Sequence, residues 1–558
     1  MSDTPVLHPP AAASAAAGAP PARIDAATLA AWLADGDELA LLDVREHGQY
    51  GEGHPFFAVH LPYSRLELDI RRLVPRAATR TVVFDAADAP GVADRAARRL
   101  AAVGYGRVAV LEGGAEAWGH AGRTLFQGVN LPSKTFGEQV EHAFDVPRID
   151  AAALAARQRA GEPLVLLDGR TLEEHRKMTV PGAVPVPNGE LALRWRTLVP
   201  DARTPIVVHC AGRTRSIVGA QLLRDLGVPN PVLALENGTQ GWALAGLPLE
   251  RGSPRTLPPA PGAAAQQAAR ADAAAAAQRA GVPRLDAAQA QAWLDDAART
   301  TFVFDVRTPD EFAAGSLPGA RLAPGGQLLQ AADLQIGVRG SRLLLLDDDA
   351  IRAPVAAAWL RRQGWDTATV EGGIAAPLRL PPVPRIPLPA ALPLRSAGDL
   401  ATARPAAPLG QAAVVVDLRP SPAYRQRHAQ GAVWSIRPRL VADVRAATHG
   451  DPQRPVLLLA AEEGVARLAA ADLRDAGWQH LAWAAADATE AAGWPQEATP
   501  QVPADADAID YLFFVHDRHD GNLDAARRYL AWETGLIAQC APDELGVFRL
   551  AGPAHIHI

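Results

Sequence analysis

Four times along this 558-residue chain an apolar run ends in the word Asp-x-Arg: Asp43 to Arg45, Asp168 to Arg170, Asp305 to Arg307 and Asp417 to Arg419. The neighbouring words repeat with it. Arg23-Ile24-Asp25-Ala26-Ala27 returns as Arg148-Ile149-Asp150-Ala151-Ala152 and Arg284-Leu285-Asp286-Ala287-Ala288, and more weakly as Leu394-Arg395-Ser396-Ala397. The Asp or Ser of each is placed to cap a short helix. After each Asp-x-Arg comes a second apolar run, at 81–84, 206–209, 342–346 and 456–459, and then a helical pattern. Three copies close on a strand and a turn, Leu111-Glu112-Gly113-Gly114, Leu235-Glu236-Asn237-Gly238 and Val370-Glu371-Gly372-Gly373; the fourth is blurred at 484–487. Short continuous apolar strands alternating with helices predict a doubly wound, mostly parallel sheet covered on both faces. The period, roughly 110 to 140 residues, is the size of a domain, so the copies are tandem domains and not a solenoid.

The boundaries follow. An Ala/Pro-rich tail is expected over 1–22, domain 1 over 23–127, a structured connector over 128–147, and domain 2 over 148–251. A Pro/Ala/Gln-rich linker, expected to be mobile, spans 252–283, with domain 3 over 284–376. A stiff, proline-dense linker spans 377–393, domain 4 spans 394–498 and a C-terminal tail spans 499–558. On this reading the two halves of the chain move, and domains 3 and 4 stand at a set spacing. The net charge of -6 argues against a general nucleic-acid binder. No apolar run is long enough to span a membrane. Two cysteines, Cys210 and Cys540, exclude a disulfide scaffold and a Cys-rich zinc site, and suit a reducing, cytoplasmic setting. Arginine carries the positive charge but for Lys134 and Lys177, which points to GC-rich, bacterial coding.

One loop carries chemistry. His209-Cys210-Ala211-Gly212-Arg213-Thr214-Arg215-Ser216 follows the strand pattern ending at Val208 and opens a helical one. Backbone N–H groups at a helix start, with two arginines close by, favour a thiolate over a thiol. The loop thus reads as a nucleophile, Cys210, cradled by Ala211, Gly212, Thr214 and Ser216. Arg213 and Arg215 are candidates to bind an anionic substrate, with the alternative that one of them pairs with a carboxylate. Arg194 is a weaker candidate, against a plain solvated helix charge. Asp168 and Arg170 read as structural support, because their word recurs in copies without cysteine, and His209 reads as an orienting or packing group. Cys540, in an apolar helical stretch, reads as a small hydrophobe. In aligned copies the place of Cys210 is taken by Asp85, Asp347 and Ala460, so only domain 2 has a nucleophile.

Together these words resemble the rhodanese family, and specifically its four-domain bacterial sulfurtransferases, over about residues 23–498. The turns Val180-Pro181-Gly182-Ala183 and Leu317-Pro318-Gly319-Ala320 and the strands before Trp118 and Trp242 belong to the same likeness. The resemblance implies a persulfide on Cys210, formed from thiosulfate or a related sulfane-sulfur donor and passed to cyanide, a cellular thiol or a sulfur-accepting protein. It implies no cofactor, no metal, no nucleic acid and no membrane. Four residues separate Cys210 from Arg215, whereas cysteine phosphatases place five there. The smaller cradle suits a sulfur atom better than a phosphoryl group or arsenate. The basic loop favours thiosulfate over mercaptopyruvate, for which the family's loops are neutral. The competing reading is a scaffold whose one cysteine carries or senses sulfur. Lys134 is expected to add positive potential near Cys210. In the tail, 510–514 is expected to be a strand and 522–538 a helix, with the polar turn from His516 to Asn522 capping it in preference to binding a metal.

Overall fold

The computed structural model describes residues 20–86, 91–402 and 413–550. Residues 1–19 of the expected tail and 87–90 of the first domain's loop lie outside the described residues. The first three domains each hold five parallel strands in the order first-fifth-fourth-second-third. Domain 4 keeps the same order over four strands, with a bridge from Leu394 to Trp483 in place of the first. The inner strands are buried along their length, as in Leu39–Asp43, Arg80–Phe84 and Val456–Ala460, because helices cover both faces. In domain 2 the core gathers Leu154, Leu166, Val207, Leu235 and Trp242.

The Asp-x-Arg word has one geometry in all four domains. The arginine Nε returns to the aspartate Oδ1 at 2.9, 2.9, 3.0 and 3.0 Å in domains 1 to 4. Its Nη2 reaches on to the carbonyl eight residues later, Gly53, Met178, Gly315 and Arg427, at 2.6, 2.5, 2.7 and 2.8 Å. Each of those carbonyls sits at the C-cap of the helix that follows the strand. A helix end has unpaired carbonyls, and a guanidinium satisfies one of them. The word therefore bolts strand end to helix end.

The chain divides into two compact units, 1–127 with 383–513, and 128–382 with 514–558. Domain 1 thus pairs with domain 4, and domain 2 with domain 3. In the first unit Arg437, 2% exposed, forks onto Glu67 at 2.6 and 3.0 Å and bonds Asp472 at 3.1 Å. It also stacks over the Tyr63 ring at 4.2 Å. In the second unit Gly189 lies so close to Gly326 that a Cβ on Gly189 would stand 2.8 Å from the Gly326 nitrogen. Arg352 bonds Glu190 across the same junction at 3.1 Å.

Three expectations are corrected. Residues 252–283 are not a loose tether: they contain the helix Ala263–Arg279, packed against the helix Arg352–Arg362. Alanines at 269, 273 and 277 form its buried face, small enough for close approach. The compact units are not domains 1–2 and domains 3–4: the unit boundary falls inside the proline-dense 377–393 stretch, and domains 3 and 4 belong to different units. Residues 510–514 are not a strand; the preceding Ile509 carbonyl accepts from Gly48 N–H at 2.9 Å instead. The tail helix is present as Leu523–Thr534, capped by Asn522, and Leu536–Gln539. Among the described residues no helix is long and apolar enough to cross a membrane.

Arg437→Ala leaves Glu67 buried without its fork and Asp472 with Arg99 and Tyr63 alone. The first unit should lose about 3–5 kcal/mol, read as a lower urea midpoint by fluorescence. An unchanged midpoint would show that the pair contributes nothing to that unit.

Candidate active site

The Cys210 loop is held from behind by its carbonyls. The strand Ile206–His209 ends at Cys210, and the helix Thr214–Asp225 begins four residues on. The start of the helix Gly238–Leu244 takes two of the loop's carbonyls: Thr239 N–H donates to Cys210 O at 2.8 Å and Gln240 N–H to Ala211 O at 3.1 Å. A Cβ on Gly238, whose φ is +52°, would stand 2.2 Å from Cys210 O, so this turn admits only glycine. The same approach recurs at Gly114 to Asp85 and Gly373 to Asp347, which explains the repeated second glycine of the strand-turn word. With its carbonyls turned back, the loop has its N–H groups left over. Among the described residues, those of 211–215 donate to no protein acceptor. The Ser216 N–H differs from expectation: it is spent on Arg213 O at 3.1 Å, and the Ser216 hydroxyl is what meets sulfur, with Cys210 Sγ donating to it at 3.7 Å. Cys210 is 1% exposed.

Both loop arginines have carboxylate partners. Arg213 forks onto Glu138 at 2.7 and 2.7 Å and also bonds Glu141, both on the connector helix Leu131–Phe144. Arg215 forks onto Glu174 at 2.7 and 2.7 Å. Burial pushes the Glu174 carboxyl up, but Arg215 beside it prevails and holds it down at about 2. Arg215 is also within electrostatic reach of Cys210. Arg194 is not a solvated charge: it is buried, donating to Glu190 at 2.8 Å and to the Pro258 carbonyl. Through Glu190 it joins the junction with domain 3. Cys540 caps the short helix Leu536–Gln539 half-buried, and burial pushes its thiol up to about 12.

Behind the loop, Asp168 accepts from Arg170, from His175 at 2.9 Å and from Thr179 at 2.9 Å. His209 Nε2 lies 3.2 Å from Thr179 Oγ1 and 3.6 Å from Asp168. Burial lowers His209 to about 4 against the pull of Asp168, so the imidazole is neutral near pH 7. It packs and orients, with no proton to give.

The tail docks on the loop. Tyr529 and Glu533 lie one turn apart on the helix Leu523–Thr534, and a Cβ on Gly212 would meet Tyr529 Cε1 at 3.0 Å and Glu533 Oε2 at 3.1 Å. Thr214 Oγ1 donates to Glu533 at 2.7 Å, and Lys134 Nζ stands 3.2 Å from the same carboxylate. The positive potential expected of Lys134 is therefore matched by a buried anion. Glu138, Glu141, Glu174, Tyr529 and Glu533 were not legible as site residues. Only Glu174 carries a local signal, as the third residue of the capping box begun by Thr171.

The equivalent loops are filled from within. In domain 3 the Asp347 carboxylate accepts from the N–H groups of Ala350, Ile351 and Ala353 at 3.1, 3.0 and 2.9 Å. Burial, with Asp349 beside it, raises that carboxyl to about 7. In domain 1 Asp85 accepts from Ala93 N–H at 2.9 Å. Domain 3 nevertheless keeps the arginine fork: Arg352, five residues after Asp347 as Arg215 is after Cys210, bonds Glu311 at 2.7 and 3.0 Å. A fork retained in a domain without a thiol is a loop support first.

His209 gives a pH test. Its imidazole titrates near 6.5 in the unfolded chain and about 4 when folded, so the unfolded chain binds the proton more tightly. Stability from this group is full above pH 6.5 and is lost as pH falls towards 4, by about 3 kcal/mol. His209→Gln should lose less stability than the parent between pH 7 and 4, measured by denaturant midpoints. Equal losses would refute the neutral, buried assignment.

A family profile for the Rhodanese-like domain matches residues 25–121, 150–245 and 286–377, three of the four domains. A solved thiosulfate sulfurtransferase from Pseudomonas aeruginosa superposes with a TM-score of 0.85 at 39% identity, over 94% of this chain and 99% of that one. An HTH-type transcriptional regulator of Mycobacterium tuberculosis is 37% identical over 108 residues, 19% of this chain and 46% of its own length. A Bacillus subtilis protein, provisionally named a sulfur carrier, is 31% identical over 102 residues, 18% of this chain and 54% of its own. The chain thus spans about half the length of these two curated relatives. The profile matches, falling on domains with one strand order and one Asp-x-Arg geometry, make this chain a member of the rhodanese-like family.

Proposed function

We propose that this protein is a sulfurtransferase that carries sulfane sulfur on Cys210. The observation behind the reading is the contrast among equivalent loops. Domain 2 alone joins a thiol to N–H groups that, among the described residues, no protein acceptor uses, whereas Asp347 accepts from three N–H groups in domain 3 and Asp85 from that of Ala93 in domain 1. The name of the Pseudomonas aeruginosa neighbour supports thiosulfate as donor. Cys210 thiolate attacks the outer sulfur of thiosulfate; the S–S bond breaks, sulfite leaves with the electron pair, and a Cys210 persulfide anion remains. Charge is conserved, and no oxidant is needed. The N–H groups of Ala211, Gly212 and Thr214 face that anion, and Arg215 adds positive charge. Arg213 and Arg194 hold the loop and the domain junction. Cyanide, a cellular thiol or a sulfur-accepting protein then takes the outer sulfur in a cytoplasmic setting. A second reading, a carrier that delivers one sulfur to a protein without turning over, draws on the Bacillus subtilis relative and on the three domains without a thiol.

Intact mass spectrometry after thiosulfate treatment should show one added sulfur atom, removed by cyanide and absent in Cys210→Ser. A modified Cys210→Ser protein would overturn the assignment. Loading without multiple turnover on cyanide would favour the carrier.

A thiol installed in domain 3 should not substitute. In Cys210→Ser with Asp347→Cys the new side chain would lie beside Asp348 and Asp349, which oppose both a thiolate and an anionic donor. No persulfide is expected on it after thiosulfate. Rapid labelling would show that domain 3 is silent only for want of sulfur.

A further inference from the structure

A donor such as thiosulfate brings two negative charges to Cys210, and the cations at the loop are nearly all committed elsewhere. Arg213 faces two carboxylates, Glu138 and Glu141. Arg215 faces Glu174, Arg170 faces Asp168, and Lys134 faces Glu533. Each cation is matched or outnumbered, so these pairs supply orientation but little net charge.

Arg518 is different. It precedes the tail helix, and its guanidinium carbon lies 4.5 Å from the centroid of the Tyr529 ring. That ring touches the loop at Gly212, and Lys134 Nζ is 5.4 Å from its centroid. Among the described residues Arg518 has no carboxylate partner. Its one hydrogen bond is a long one, from Nη1 to the Val515 carbonyl at 3.4 Å, and its Nε is buried with no acceptor. A buried donor without a partner costs free energy that a bound acceptor would recover. Asp520 pairs with Lys177 at 3.0 Å on the helix that carries Glu174, so this turn lies beside the helix that holds Arg215, with His519 between Asp520 and Arg518. The His519 Nδ1 is likewise buried without a partner.

We propose that Arg518 is a donor-binding residue: it holds the oxyanion end of a small sulfane-sulfur donor while Cys210 takes the sulfur. The inference rests on the Cys210 reading above. It makes the C-terminal segment part of the site, supplying the net positive charge that the loop arginines have given up to their carboxylates. A planar guanidinium can meet two oxygens of a sulfonate at once, which an ammonium cannot.

Two measurements on the full chain test it. In the first, thiosulfate binding is titrated calorimetrically in Cys210→Ser, with and without Arg518→Ala or Arg518→Lys. Binding should weaken about ten- to a hundredfold with alanine and recover in part with lysine. Unchanged binding with alanine, or no binding to Cys210→Ser itself, would overturn the proposal. In the second, Arg518→Ala is assayed in the otherwise intact protein with thiosulfate and with a dialkyl trisulfide, a donor without a sulfonate. KM for thiosulfate should rise about ten- to a hundredfold with kcat within about threefold, while kcat/KM for the trisulfide should move less than about twofold. Equal losses on both donors would mean a structural role and overturn it. If the parent takes no sulfur from either donor, the sulfurtransferase reading fails, and the binding titration still decides Arg518.

Discussion

An aspartate with no exposed surface ends the second strand of every domain, and the arginine two residues on folds back onto it. Neither charge could be buried alone; paired, and with the guanidinium also bonded to a helix-end carbonyl, both are satisfied. The rest of the loop geometry hangs from this. The bolt fixes the helix after the strand, and that helix presents Glu174 in domain 2 and Glu311 in domain 3. Those carboxylates catch Arg215 and Arg352, which sit at the loop-to-helix turn of each domain. In domain 2 the same aspartate also gathers His175, Thr179 and His209, so the residue before Cys210 is tied to the strand end.

On this shared frame domains 2 and 3 differ most tellingly at the position of Cys210 and Asp347. An N–H-rich loop needs a negative or polar partner. A thiol leaves it to be met from outside; an aspartate meets it from within, as Asp347 does with three N–H groups. In domain 3 the aspartate thus fills from within the place that the thiol leaves open in domain 2. The cost shows in Asp347 itself, a buried carboxyl raised to about 7 beside Asp349.

The repeats, the parallel sheets and the Cys-bearing loop were legible because they are local: apolar runs, a capping residue, a Gly-bearing turn. Which domain pairs with which was not. Glu67 and Arg437, or Gly189 and Gly326, are far apart in sequence, and nothing in either neighbourhood names the other. The linker at 252–283 misled for a related reason: its alanines are both low-complexity sequence and strong helix formers, and only the neighbouring helix decides between coil and helix. The loop arginines read as substrate ligands because their partners, Glu138, Glu141 and Glu174, sit on other elements. Arg518 lies in a polar turn that looks like a cap, and its lack of a carboxylate among the described residues becomes visible only when the cations at the Cys210 loop have been paired.

The pairing of domain 1 with domain 4 has a consequence for synthesis. At a ribosomal rate of about 5–20 residues per second, on the order of 10–50 s pass between the emergence of domain 1 and the completion of 128–382, before its partner has begun to appear. Through that interval the nascent face bearing Tyr63, Glu67 and Arg99 is uncovered, since Arg437 and Asp472 do not yet exist. A hydrocarbon face left open so long would gather other nascent chains. This one is mostly carboxylate, guanidinium and phenol, groups that water satisfies while they wait, with Leu68 set against Gly464 beside them. The late closure favours a junction rich in charge, and domain 1 brings to it a core in which Leu29, Leu66, Ile70 and Phe84 are fully buried in the folded chain.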